Sequence, residues 1–161
     1  MKLSLLVTAV TLSAPLWLLA PAKAYSPQDL EQLKQTGYCP RCDLSGAALN
    51  NINLSGVNLR NANLTQANFS GSNLTGADLS EANMEVANMT GANLNNAVFT
   101  GVNFKSANFE NADLTGAGLI ATNLDGANFK GAKTLFTNFR GAKFRLTTLP
   151  NGLVTSNRRY W

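Results

Sequence analysis

The stretch of sequence that decides the fold is residues 62–81, which read ANLTQANFSGSNLTGADLSE. It contains four five-residue units, each made of a small residue, Asn or Asp, a large apolar residue and two corner residues. The same period runs from residue 42 to residue 151 and gives 22 repeats. Of the 22 large positions, 12 are Leu, 7 are Phe and 2 are Met, and only Thr134 departs from the pattern. A repeat this regular indicates a solenoid, in which successive copies stack on one another.

A period of five residues fits neither an α-helix nor a straight strand. On an α-helix, five residues advance about 500°, so consecutive large side chains would lie about 140° apart and form no apolar stripe. On a strand, an odd period sends them to opposite faces. The pattern instead predicts a short strand that points the small and the large residue inward, followed by a turn. Gly or Asn occupies the second corner position in 15 of 22 repeats, and both tolerate the positive φ of a type II turn.

Five repeats have a bulkier residue at the second corner position, and we expect them to turn through type I geometry, which needs no positive φ. These residues are Gln66, Glu81, Val86, Phe136 and Leu146. Thr134 also interrupts a series of leucines spaced 20 residues apart. We expect the last coils to loosen or bulge there.

Units such as residues 62–66 (ANLTQ), 77–81 (ADLSE) and 127–131 (ANFKG) resemble those of pentapeptide-repeat proteins, and the resemblance covers residues 42–151. Members of that family fold as a right-handed quadrilateral β-helix, with one pentapeptide per side and four per coil. The resemblance therefore implies an all-β fold of 5.5 coils, about 26 Å tall at roughly 4.8 Å per rung. Residues 20 apart would lie above one another.

The ends of the chain follow other patterns. Residues 1–24 have a basic start, an apolar run and the triplet Ala22-Lys23-Ala24, as in a cleaved signal peptide. An uncleaved membrane anchor is the alternative. We expect four parts: a signal peptide at 1–24, a capping helix and linker at 25–41, the β-helix at 42–151, and a C-terminal cap or free tail at 152–161.

A short capping α-helix is predicted at the N-terminus of the mature chain. Ser26 is suited to the N-cap position, Pro27 to the first helical position and Gly37 to the end of the helix. Leu30 and Leu33 would then cover the open end of the first coil, where unpaired strand edges would otherwise invite association.

The composition restricts the chemistry. The chain has 161 residues, 21 of them Asn, with 14% charged residues and no His. The lack of His excludes the usual Ser-His-Asp and Cys-His nucleophile arrangements. Low charge suits stacked coils, because like charges on an outer column would face each other about 4.8 Å apart. Residues 126–161 carry seven basic and no acidic residues, which indicates either a solvated terminal segment or a basic end that docks on an anionic surface.

One corner column has charges of alternating sign, and we predict a ladder of ion pairs along it. Its members are Glu85, Lys105, Asp125 and Arg145. A shorter pair is predicted between Glu110 and Lys130. Because exposed ion pairs contribute only about 0–1 kcal/mol each, the ladder would fix the register of the coils more than it would add stability.

Cys39 and Cys42 lie between the predicted helix and the first repeat. In an exported protein the leading interpretation is a disulfide between them. A thioredoxin-like redox role is the alternative, although the CPRC spacing here precedes a coil and not a helix. A metal site at these cysteines would lack further ligands.

The resemblance and the predicted export favour a non-enzymatic protein-interaction or structural module in a periplasm or thylakoid lumen. The partner is an unknown protein; we expect no nucleic acid, cofactor, metal or catalytic residue. The alternative is a DNA mimic that binds topoisomerase, as some family members do, but export and the lack of a dense acidic face argue against it. Outward carboxylates for acid–base catalysis are present, but the repeat implies no cleft to shield them.

Overall fold

The computed structural model describes residues 25–159. It begins with the α-helix α1, Pro27–Thr36, and ends with a two-stranded antiparallel sheet of β1, Lys143–Arg145, and β2, Asn157–Arg159. The predicted signal peptide, residues 1–24, lies outside the described residues.

Between α1 and β1 the chain winds as a four-sided coil with 20 residues per turn, because single-residue parallel bridges join residues 20 apart. We name the sides by their first segments, and each side recurs every 20 residues: side A is 42–46, side B is 47–51, side C is 52–56 and side D is 57–61. The first bridge joins Tyr38 to Asn58. A segment of side D, residues 37–41, thus precedes the first predicted repeat.

Each side below the last coil forms three hydrogen bonds with the side above. On side A, the Leu64 N–H donates to the Asn83 carbonyl at 2.8 Å, the Gln66 N–H donates to the Glu85 carbonyl at 2.9 Å, and the Asn83 N–H donates back to Ala62 at 3.0 Å. The corners interrupt the strand after one bridged residue. In the described chain, only β1 and β2 are strands of more than one residue. The architecture is nevertheless a β-helix, because bridged residues stack from coil to coil.

The interior is filled by the large positions of the repeats. Leu54, Leu74, Leu94 and Leu114 are buried in one stack, as predicted. In a second stack the Phe109 and Phe129 rings lie 4.6 Å apart and 3° from parallel, also as predicted. Small side chains in the other inward column leave room for these large ones, so the coils stay narrow.

The corners share one geometry, and the prediction of type I turns in five repeats is wrong. The five bulkier residues all have a left-handed φ, between 55° and 61°: Gln66, Glu81, Val86, Phe136 and Leu146. A type I corner would turn the next side out of line with the coils above and below. The hydrogen bonds between coils therefore override the local preference, at a cost of roughly 1–2 kcal/mol per left-handed residue.

The last coils were predicted to loosen or bulge at Thr134, and the bulge is absent. The Lys133 N–H donates to the Ala112 carbonyl at 2.9 Å, and the Leu135 carbonyl accepts from Gly116 at 2.9 Å, so side C keeps its register. Thr134 is only partly buried because no described residue lies above it on side C. A polar residue is tolerated in the large column where the core ends.

The helix α1 starts and ends as predicted. The Ser26 side chain accepts from the Asp29 N–H, Pro27 is the first helical residue, and Gly37 ends the helix with a φ of 66°. Leu33 is buried in the core. The Ser26 N–H donates to the Asp43 carbonyl at 2.9 Å, and Asp29 Oδ2 accepts from the Asp43 N–H at 2.7 Å. These two bonds engage both backbone groups of the bridged residue at the lower edge of side A.

The C-terminal segment folds back over two sides of the last coil. Residues 157–159 of β2 pair antiparallel with residues 143–145 of β1 on side A, and Val154 bridges Thr148 on side B. Through Arg159, then, the segment predicted as either a cap or a free tail covers sides A and B. Sides C and D of the last coil have no described segment above them.

Candidate interaction surfaces

The middle of each side is a column of Asn and Asp, and its role goes beyond avoiding charge repulsion. In every one of the 16 repeats with Asn or Asp there, the side-chain Oδ1 accepts the N–H of the residue two positions later, at 3.0–3.3 Å. That N–H belongs to the first corner residue and takes no part in the bonds between coils. The side chain thus satisfies a backbone donor that the fold leaves unpaired.

This arrangement fixes the side chains on the outer surface. Amides and hydroxyls that are already bonded to the backbone lose little further freedom on binding, which lowers the entropic cost of association. The sequence signal was present in the Asn or Asp column itself, but its link to the corner N–H was not foreseen.

Two ion pairs lie in the charged column of side A. Lys105 Nζ lies 3.2 Å from Glu85 Oε1, and Arg145 Nε lies 3.3 Å from Asp125 Oδ2. Within residues 25–159 no ion pair of 4.0 Å or less joins Lys105 to Asp125, because Asp125 also accepts the Arg145 N–H at 3.0 Å. The charges occur as two pairs, and their role in setting the register stays a proposal.

The pair predicted between Glu110 and Lys130 is not formed in the described chain. Two other pairs are present that sequence reasoning missed. Arg60 Nη1 lies 2.9 Å from Asp78 Oδ2 at the edge of side D, and Lys133 Nζ lies 3.5 Å from Asp113 Oδ2 on side C. The 20-residue spacing of Asp113 and Lys133 could have indicated their contact.

The carboxylates of Asp78 and Asp113 have lowered pKa values. For Asp113 the main cause is the hydrogen bond from the Thr115 hydroxyl, assisted by the Thr115 N–H and by Lys133. For Asp78 burial raises the pKa, but hydrogen bonds from Ser80 and the nearby Arg60 outweigh this effect. Both groups stay ionised, as expected of carboxylates that accept hydrogen bonds on a surface and unlike a general acid.

The acidic residues of the coil are spread over all four sides, with Glu85 on side A, Glu110 on side B, Asp113 on side C and Asp78 on side D. Within residues 25–159, no group of three or more His, Cys, Asp and Glu is placed to hold a metal ion. No helix there has both the length and the apolarity needed to span a membrane.

Cys39 and Cys42 form a disulfide, with their Cα atoms 5.5 Å apart. Both residues are buried. Cys39 takes the large position of the side that precedes residue 42, and Cys42 takes the small position of the next side. The bond therefore spans the first corner, where α1 meets the coil.

The C-terminal end has a cavity that the repeat pattern did not indicate. Its volume is about 320 Å³, and side chains from all four sides line it. They include Phe129, Thr134, Phe139, Phe144 and Leu149. The cavity is the unfilled top of the core, open where no described residue covers sides C and D.

The Pentapeptide repeats family matches residues 42–81, 77–116 and 119–151, in eight copies. The chain belongs to the pentapeptide-repeat family. The family fold is the right-handed quadrilateral β-helix, which agrees with the four-sided coil described above.

Solved structures of other pentapeptide-repeat proteins are similar to this chain. Rfr23 from the cyanobacterium Cyanothece 51142 is 30% identical, with a TM-score of 0.70, over 71% of this chain and 92% of that one. HetL from Nostoc sp. strain PCC 7120, involved in heterocyst differentiation regulation, is 27% identical, with a TM-score of 0.54, over 73% and 62% of the two chains. A protein of the Arabidopsis thaliana thylakoid lumen is 27% identical, with a TM-score of 0.40, over 64% and 68%. A comparison with curated proteins found no match.

Proposed function

We propose that this pentapeptide-repeat protein is an exported, non-enzymatic interaction module that binds a protein partner in a periplasm or thylakoid lumen. The observation that carries the proposal is the bonded Asn and Asp column. It makes each side a rigid polar surface with a repeat set by the coil, which suits recognition by shape and hydrogen bonds.

Two features support export. The first is the sequence pattern of residues 1–24, from which the mature chain would start at Tyr25. The second is the disulfide between Cys39 and Cys42, since such bonds persist in oxidising compartments. Mass spectrometry of the protein from fractionated host cells should find an N-terminus at Tyr25 in the lumenal or periplasmic fraction. An intact residue 1–24 segment in the membrane fraction would support the anchor instead.

The capping role of α1 belongs to the same proposal. Its first turn engages both backbone groups of Asp43 at the lower edge of side A, and Leu33 adds its side chain to the core. An exported solenoid without such a cover would expose strand edges that pair with other chains.

The interaction role is tested by placing a photoreactive benzoylphenylalanine on each side in turn. Suitable outer positions are Thr65 on side A, Ala48 on side B, Ser55 on side C and Val98 on side D. Irradiation in the host should link one or two adjacent sides to the same protein and leave the opposite side unlinked. Equal weak labelling of many proteins from all four sides, or none from any side, would contradict an interaction role.

A further inference from the structure

The C-terminal end of the coil differs from the rest of the described surface in its apolar exposure. Eight large hydrophobic residues are exposed in the described chain, and five of them lie between residues 135 and 154. These are Leu135, Phe136, Leu146, Leu153 and Val154. Phe136 is the most exposed, at 81%. The cavity of about 320 Å³ at the top of the core lies at the same end of the coil.

On sides C and D of this end, backbone groups also lack hydrogen-bond partners in the described chain. In the coil below, the backbone N–H groups of side C donate to carbonyls of the last coil. The Leu114 N–H donates to the Lys133 carbonyl at 2.8 Å, and the Gly116 N–H donates to the Leu135 carbonyl at 2.9 Å. The corresponding N–H groups in the last coil have no acceptor among the described residues. They belong to Thr134 and Phe136 on side C and to Phe139 and Gly141 on side D.

Two backbone carbonyls on the same edge are also without a donor in the described chain. Ala132 on side C and Thr137 on side D occupy the position that accepts an N–H from the coil above, and within the described chain neither receives one. On sides A and B the chain supplies its own upper rung. On side A, β2 pairs with β1. On side B, the Thr155 N–H donates to the Thr147 carbonyl at 2.8 Å, and the Leu149 N–H donates to the Leu153 carbonyl at 2.8 Å. The missing rung on sides C and D is therefore a site where an extended peptide can add a strand.

The charge of the region selects the kind of peptide. Residues 126–161 contain seven basic and no acidic residues. Lys130, Arg140 and Lys143 have no ion pair in the described chain. A second copy docked through this same end would bring a basic end against a basic end and be repelled, whereas an acidic segment would be attracted.

We propose that the open half of the C-terminal end binds an extended acidic segment of a partner protein. The segment adds a strand to side C or side D and places one aromatic or large aliphatic side chain in the cavity beside Thr134. The inference rests on the proposed interaction role and specifies where one partner binds and what that partner carries.

The test uses the full mature chain, immobilised and screened against a displayed library of random ten-residue peptides. Enriched peptides should carry a net negative charge and one Phe, Trp, Leu or Ile. Their affinity should fall at least tenfold for Thr134→Phe, which fills the cavity with a residue that the large column accepts elsewhere. It should change less than twofold for Lys34→Glu, which alters a charge at the opposite end.

A second variant guards against misfolding of Thr134→Phe. Arg140→Glu combined with Lys143→Glu leaves the cavity intact and should weaken the preference of the enriched peptides for negative charge. The proposal is overturned if no peptides are enriched, if basic or neutral peptides are enriched, or if the enriched peptides bind Thr134→Phe as tightly as the parent. The side-specific cross-links described above would survive each of these results.

Two other occupants are distinguished in the same study. A dimer in sedimentation velocity that is lost in Thr134→Phe would assign the surface to a second copy and overturn the proposal. Peptide binding that appears only in a variant ending at Arg159 would assign it to Tyr160 and Trp161 of the chain itself, with the same consequence.

Discussion

Asn88 Oδ1 accepts two hydrogen bonds from Thr90, one from its backbone N–H at 3.1 Å and one from its hydroxyl at 2.6 Å. Asn88→Ala removes both bonds and leaves the corner N–H without its partner. We expect a loss of about 1–2 kcal/mol in the free energy of unfolding, measured with denaturant. Asn88→Asp keeps the acceptor and should stay near the parent, since Asp takes this position in other repeats. Equal stability of all three proteins would show that the column has no structural role.

Val86 is a β-branched residue with a φ of 61°, in a region that disfavours such side chains. Val86→Gly relieves that strain, and we expect a net gain of about 1 kcal/mol, because the greater freedom of glycine in the unfolded chain offsets part of the relief. Val86→Thr keeps the branching and serves as the control. A fall in melting temperature for Val86→Gly would mean that the Val86 side chain contributes more through packing than its backbone costs.

The Asp29 side chain of α1 accepts a hydrogen bond from the Asp43 N–H at the lower edge of side A. Asp29→Ala should cost about 1–2 kcal/mol and expose the lower edge of side A. Light scattering at increasing concentration should then detect association that the parent lacks. Glu31→Ala, on the outer surface of the same helix, is the control. If Asp29→Ala stays monomeric and fully stable, α1 does not protect this edge.

The lowered pKa of Asp113 predicts a dependence of stability on acid. Because the folded-state pKa lies below the unfolded one, the carboxylate contributes stability above the unfolded value of about 3.9, and this contribution is lost as pH falls through the folded value. Thr115→Val removes the hydroxyl that lowers the pKa most. The variant should be less stable than the parent at pH 7, and the difference should shrink as pH falls through the folded-state pKa of Asp113. Thr100→Val is the control. Thr100 lies two residues after Val98, which has no carboxylate, so the effect of Thr100→Val on stability should not change with pH.

Most of the fold follows from the five-residue period. The two inward columns predict the core, and the 20-residue spacing predicts which side chains stack, as Phe109 and Phe129 show. The period says less about the corners. Val86 was assigned a type I turn from its own preference, whereas the bonds to the coils on either side impose a left-handed φ on it.

Contacts between charged side chains were harder to predict than the stacking of the backbone. The spacing places Lys105 between Glu85 and Asp125, but it cannot say which carboxylate the flexible ammonium group contacts. Asp125 already receives both the N–H and the guanidinium of Arg145. The covering of sides A and B by residues 153–159 was not predictable, because that segment has no repeat and its pairing depends on the edge beneath it.

The central claim is that every coil bonds to the next one and that the last coil is open on sides C and D. Amide hydrogen exchange of the mature protein tests this claim directly. The N–H groups of Leu114 and Gly116, bonded to the coil above, should exchange slowly, whereas those of Thr134 and Phe136, one coil higher, should exchange rapidly. Equal protection at all four positions would contradict the open end, and rapid exchange at all four would contradict the stacked coil.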